Sequence, residues 1–193
     1  MQRGFTDAEF DARTKRAQAL MAKYDIAALL LTTEPDVRYF TGFLTQFWQS
    51  PTRPWFLIVP ASGKPIAVIP AIGQALMNTT WIDDIRTWAS PDLTDDGVTL
   101  LADTLTEIAG QGRIAIPDGH ETHIRMPFAD VTKLATRHVL TSDKGIMREL
   151  RMVKSDAEVD KIRHACTIAG TAFDAVKSFA RVGMTQSQIN RQF

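Results

Sequence analysis

Two groups of residues carry side chains that could do chemistry. In the first, His120, Glu121 and His123 stand together as H-E-T-H. Two histidines that hold one metal from a helix need four-residue spacing so that both rings face the ion, and here the step is three. The surrounding D-G-H-E-T-H reads as a loop, so surface or capping roles are expected there rather than a metal site. In the second group, Phe47, Trp48, Arg53 and Trp55 gather aromatic and guanidinium groups around Pro51 and Pro54. Arg offers a planar donor fork and Trp a large contact area, which suits a partner surface or a small carboxylate ligand. The plainer alternative is that the aromatics cap a sheet and Arg53 is solvated.

Other chemistries lack their residues. Neither G-x-G-x-x-G nor G-x-x-x-x-G-K-[ST] occurs, so no phosphate-cradling loop is expected, and no G-x-S-x-G elbow or serine triad is apparent. Asp95 and Asp96 are explained by the start of a helix, where its dipole favours negative charge, and Asp83 and Asp84 have no evident third partner. His138 precedes a strand and His164 lies off an apolar stripe, so both are expected to be structural or solvated. The single cysteine, Cys166, excludes an internal disulfide and reads as a small buried hydrophobe. Lys and Arg balance Asp and Glu at 22 each, which gives no field to recruit nucleic acid or an anionic membrane. No apolar run approaches the roughly 20 residues of a membrane span. The opening M-Q-R-G-F-T-D-A-E-F has no signal-peptide core, and a cytoplasmic location is the default.

These residues must be positioned by the elements between them. Thr6 with Glu9 predicts a capped amphipathic helix over 7–24. The apolar run 27–31 is too short for a helix and reads as a strand buried on both faces. A helical turn over 34–41 leads to Gly42, and the segments 55–59 and 65–69 around Gly63 predict an antiparallel hairpin. Helices are expected over 71–78, 94–109 and 127–134, with strands over 82–88, 113–116 and 138–140. Helices alternating with short apolar strands predict a layered α/β domain with helices on both faces of the sheet. That domain is expected over 1–142, with a linker over 143–155 containing a short helix with Ile146, Met147 and Leu150. From 156 to 193 a second unit begins. Ser155 and Glu158 form a capping box ahead of an apolar stripe through Val159, Ile162, Cys166, Ala169, Phe173, Val176 and Ala180. The helix is expected to run to a left-handed stop at Gly183, roughly 40 Å in all. Thr185 and Gln188 announce a further helix that the chain barely begins.

Two stretches resemble one family. V-R-Y-F-T-G-F at 37–43 is similar to an N-x-x-Y-L-T-G-F motif, with Asp36 in place of the usual Asn. L-R-M-V-K-S-D-A-E-V-D-K-I-R-H-A-C-T-I-A-G-T-A-F from Leu150 is similar to an L-R-x-x-K-S-x-x-E-I-x-x-I-R-x-A linker and helix. Both are features of the pita-bread metallopeptidases, the family of prolidase, aminopeptidase P and creatinase. The resemblance implies that Leu29 to Leu140 form the mixed-sheet α/β N-terminal domain of that family, followed by the first helix of a pita-bread domain. It implies a non-catalytic part of a Xaa-Pro peptidase that contributes to specificity and homodimerisation. Two divalent metals would sit in the C-terminal catalytic domain, with no catalytic or metal-binding residue here, and these 193 residues alone would be inactive. By the same resemblance, Phe47, Trp48 and Arg53 would reach the pocket of a neighbouring subunit, in a loop lengthened by Ser50, Pro51 and Thr52. The alternative is a stand-alone peptide- or protein-binding module without hydrolase activity.

Overall fold

The computed structural model describes residues 4–50 and 54–193. It divides into two compact units, Met1–Met152 and Val153–Phe193. The division falls beyond the expected domain end at 142, for a physical reason. Ile146 and Met147 are fully buried and Leu150 nearly so, and all three belong to the same hydrophobic cluster as the sheet. The short helix expected within a linker is therefore part of the core.

In the first unit, helix α1 (Asp7–Lys23) leads to strand β1 (Ala28–Leu31), helix α2 (Glu34–Thr41) and a 3-10 turn over Gln46–Gln49. Strands β2 (Phe56–Pro60) and β3 (Ile66–Pro70) follow, then a 3-10 turn over Ala71–Gly73 and the short helix α3 (Gln74–Met77). Strand β4 (Asp84–Trp88), helix α4 (Val98–Ala109), strand β5 (Arg113–Ile116), helix α5 (Phe128–Ala135), strand β6 (Val139–Ser142) and helix α6 (Ile146–Met152) complete it. The strands form one sheet in the order β4-β3-β2-β1-β5-β6. Only β2 runs against the others, since it pairs antiparallel with both β1 and β3 while the remaining pairs are parallel.

Strand β1 shows why the sheet needs two covers. Successive side chains of a strand point to opposite faces, and all four residues of β1 are inaccessible to solvent. Leu29 and Leu31 pack with Phe10, Ala17 and Met21 of α1, Phe40 of α2 and Met147 of α6. Ala28 and Leu30 pack with Leu101 and Leu105 of α4 and Leu134 of α5. Each buried leucine contributes about 1.5–3 kcal/mol, so a polar residue on either face of β1 would be costly.

One helix starts later than the sequence predicts. Helix α4 begins at Val98, four residues after the expected Thr94, because Asp92 and Asp96 draw the preceding segment into a turn. Asp96 accepts hydrogen bonds from Trp88 Nε1 and Ser90 Oγ, both 2.9 Å or shorter. Asp95 still serves the helix start by accepting from the Thr99 amide.

The second unit comprises helix α7 (Asp156–Phe179) and helix α8 (Gln186–Gln192). Both expected capping boxes form, at Ser155 with Glu158 and at Thr185 with Gln188. Helix α7 ends at Phe179 rather than near Gly183, whose φ of 91° lies in the turn that follows. No residue of α7 is buried. Cys166, expected to be a buried hydrophobe, is accordingly exposed. No helix among the described residues is long and apolar enough to cross a membrane.

Candidate functional site

Beyond the carboxyl ends of the parallel neighbours β1 and β5, the chain departs to opposite faces of the sheet. The segment after β1 enters α2, which packs against one cluster, while the segment after β5 enters α5, which packs against the other. Divergence of this kind opens a crevice at the sheet edge, the usual place for ligands in open α/β sheets. A cavity of about 350 Å³ lies there. Thr33, Glu34 and Pro35 line it from the start of α2, Trp48 from the 3-10 turn, and Arg151 from α6. Glu121, His123 and Arg125 line it from the loop after β5.

The walls of the crevice are tied together by polar contacts. The Arg125 amide donates to Thr32 Oγ1, which joins the loop after β5 to the loop after β1. The Arg125 guanidinium donates through Nη2 to the carbonyl of Ser50, at the end of the 3-10 turn. Arg151 Nη1 donates to Asp36 Oδ1 at 2.8 Å, and Thr33 Oγ1 donates to Asp36 Oδ2 at 2.7 Å. Asp36 is completely inaccessible, and burial pushes its carboxyl above the ordinary range while Thr33 and Arg151 pull it down. Asp143 adds to the upward push. Its own carboxylate caps α6, accepting from the amides of Gly145 and Met147.

Within the aromatic group, Trp48 and Trp55 are buried. Trp48 is only 6% exposed, with its ring centroid 5.7 Å from that of Trp55 and 6.4 Å from that of Phe43. Its Nε1 is buried and has no hydrogen-bond partner among the described residues. Phe47 is half-buried against the same cluster, and Arg53 lies outside the described residues. Trp48 thus serves first as an anchor for the segment that carries Phe47.

The H-E-T-H group is a tight turn, closed by a bridge between Asp118 and His123 and by the Gly119 amide donating to Thr122 O at 2.9 Å. Among the described residues no group of three or more His, Cys, Asp or Glu could hold a metal ion. His138 is buried, with Nε2 3.0 Å from the Ala102 carbonyl oxygen, so it holds β6 to α4. Arg125 and Glu34 belong to no motif that the sequence displays. Arg151 was visible only as part of the L-R-M-V-K junction.

Residues 13–153 match the creatinase/prolidase N-terminal domain. This chain belongs to that family. Among curated relatives, the probable dipeptidase PepE of Mycobacterium bovis is 27% identical over 195 residues, covering 95% of this chain and 47% of that protein. The crystal structure of dipeptidase PepE from Mycobacterium ulcerans superposes with a TM-score of 0.71 at 27% identity, over 96% of this chain and 48% of that one. Prolidase from Thermococcus sibiricus has the same fold, with a TM-score of 0.76 at 18% identity, covering 95% of this chain and 48% of its own. The chain spans about half the length of the curated relatives it matches.

Proposed function

We propose that this chain is the non-catalytic N-terminal part of a cytoplasmic, homodimeric metal-dependent Xaa-Pro peptidase, and that it contributes to dimerisation and substrate choice. The observation that carries the reading is the family match over residues 13–153. Similarity to the dipeptidase PepE over 95% of the chain supports a peptide as the substrate. In this reading the bond is broken in a further domain, which α7 and α8 begin, and two divalent metals held there would supply the activated water. The described residues offer no ligand set for them. The present chain's part is to shape the entrance. In this reading Phe47, Trp48 and Arg53 would serve the pocket of the neighbouring subunit, with Trp48 packed on Trp55.

The test uses the polypeptide translated from the whole reading frame. Arg53→Ala is expected to raise KM for Gly-Pro severalfold while kcat and bound metal stay close to the parent values, because a guanidinium that only grips a substrate carboxylate acts on binding. Unchanged kinetics would remove the loop from the reading. A reading frame that closes directly after Phe193 would leave the stand-alone binding module in its place.

A further inference from the structure

One stretch of exposed surface in the first unit carries no charge. Charged residues make up 23% of the chain, yet none occurs from Tyr39 to Ser50 or from Pro65 to Ile82. Within strand β3 burial accounts for this. It does not account for the 3-10 turn Ala71–Gly73 and α3, where Ala71, Ile72, Gln74, Ala75 and Leu76 are all exposed. The exposed positions of α1, by contrast, include Asp7, Lys15, Arg16 and Lys23.

Gly73 and Met77 are the buried residues here, and Gly73 lies so close to Trp55 that a Cβ there would overlap the indole. Ile72 and Leu76, also four residues apart, are left outward at 54% and 42% exposure. Leu44 adds a third large apolar side chain at 50%, and its neighbour Phe43 packs on the same indole, 5.3 Å from Trp55 between ring centroids. The hydroxyls beside α3 are already used. Thr79 donates to the Leu76 carbonyl at 2.8 Å and Thr80 to the Met77 carbonyl at 2.7 Å.

Depletion of charge together with large apolar side chains is the composition found at the centre of protein–protein contacts. A charged partner would lose its hydration here and find nothing to pair with. The surface that covers this one must therefore be neutral and apolar, and the chain itself carries such a surface. Two copies related by a two-fold axis bring the same patch together with no like charges opposed. We propose that this face is where two copies of the chain meet, with Leu44, Ile72 and Leu76 as its apolar centre. The proposal rests on the homodimer reading above and deepens it by naming the surface. Trp48 packs on the same indole at 5.7 Å, so the face continues into the segment which that reading gives to a neighbouring subunit.

Sedimentation velocity of the 193-residue chain is expected to show a reversible dimer with a Kd in about the micromolar range. Ile72→Lys and Leu76→Lys each set a charge against an apolar surface and are expected to weaken the dimer at least about tenfold. Both side chains are exposed, so the melting temperature of the monomer should not change. Circular dichroism checks this, and Leu44→Lys replaces either variant that is not folded. Leu93→Lys, at a 98% exposed position in the loop before α4, is expected to leave the dimer as it is. A chain that stays monomeric at about 200 µM, lysine variants at 72 and 76 that dimerise as tightly as the parent, or an equal loss in Leu93→Lys would overturn the proposal. Those results would leave the peptidase reading in place, since it is tested by the kinetics of Arg53→Ala, and unchanged kinetics there would leave this surface in place.

Discussion

Asp36 Oδ1 and Arg151 Nη1 lie 2.8 Å apart across 115 residues of chain, joining the start of α2 to the last helix of the first unit. The partners are unequally exposed, with the side chain of Asp36 at 0% and that of Arg151 at 36%. Burial raises the folded-state pKa of Asp36 above its ordinary 3.8. A carboxyl with a raised folded pKa favours folding below the unfolded value and loses that contribution as pH rises through the folded value. Asp36→Asn removes the buried charge and keeps an acceptor for Thr33. It is expected to leave stability at pH 7 unchanged or raised by up to about 1 kcal/mol. The parent should close the gap as pH falls, because burial makes its carboxyl take up a proton at higher pH than an ordinary aspartate. Arg151→Ala leaves the carboxylate without its cation and is expected to cost about 2 kcal/mol, less than a fully buried pair because Arg151 is partly in solvent. Thermal melts of the three proteins between pH 4 and 8 decide the matter. A loss for Asp36→Asn that grows with pH would show the ion pair to be net stabilising.

Tyr39 makes a second tie between the same helices. Its hydroxyl donates to the Leu150 carbonyl at 3.0 Å and accepts from Arg16 Nη2 at 3.1 Å. Tyr39→Phe keeps the ring packed edge-on against Phe40 but leaves a buried carbonyl without its donor. The expected cost is about 1–2 kcal/mol. In urea the midpoint should fall while the slope of the transition is unchanged, since no additional surface is exposed.

The parts of the fold that could be read in advance are those where local chemistry and tertiary packing agree. Strand β1, the β2-β3 hairpin and both capping boxes of the second unit follow from apolar runs, turn residues and S/T-x-x-E/Q spacing, and each element also buries or caps what its pattern demands. Helix α4 begins late because Asp96 bonds Trp88 and Ser90 instead of starting the helix, a contact between side chains that no periodicity encodes. The crevice was hidden for a related reason. Glu34, Glu121, Arg125 and Arg151 converge only because β1 and β5, 86 residues apart at the paired Leu29 and Ala115, are neighbours in the sheet. Trp48 and Trp55 were legible as a group, but their burial against Phe43 was not.

The two units should be separable. Among the described residues, both core clusters are built from residues up to Leu150. A fragment ending at Met152 is expected to melt cooperatively within about 3 °C of the whole chain, a shift corresponding to less than 1 kcal/mol for a domain of this size. Differential scanning calorimetry of the two proteins is the measurement. A fragment that unfolds far earlier would mean that the first unit depends on α7 or α8.

Gly42 and Gly63 allow backbone strain to be separated from side-chain contact. Both have left-handed φ, at 73° and 85° respectively. A Cβ added at Gly63 meets nothing within 4 Å, whereas one added at Gly42 would lie 2.9 Å from Phe10 Cζ. Phe10 has little room to yield, being 5% exposed and stacked on Trp81 at 6.2 Å. Gly63→Ala is therefore expected to cost about 1 kcal/mol from conformation alone. Gly42→Ala bears the same strain at the C-cap of α2 together with displacement of Phe10, and is expected to cost about 2–3 kcal/mol. Trimming the ring in the double variant Gly42→Ala, Phe10→Leu should recover part of the added loss, because the clash is with the far end of Phe10. If the two alanine variants were equally destabilised in urea, the contact with Phe10 would contribute nothing and the cost at Gly42 would be that of its backbone conformation alone.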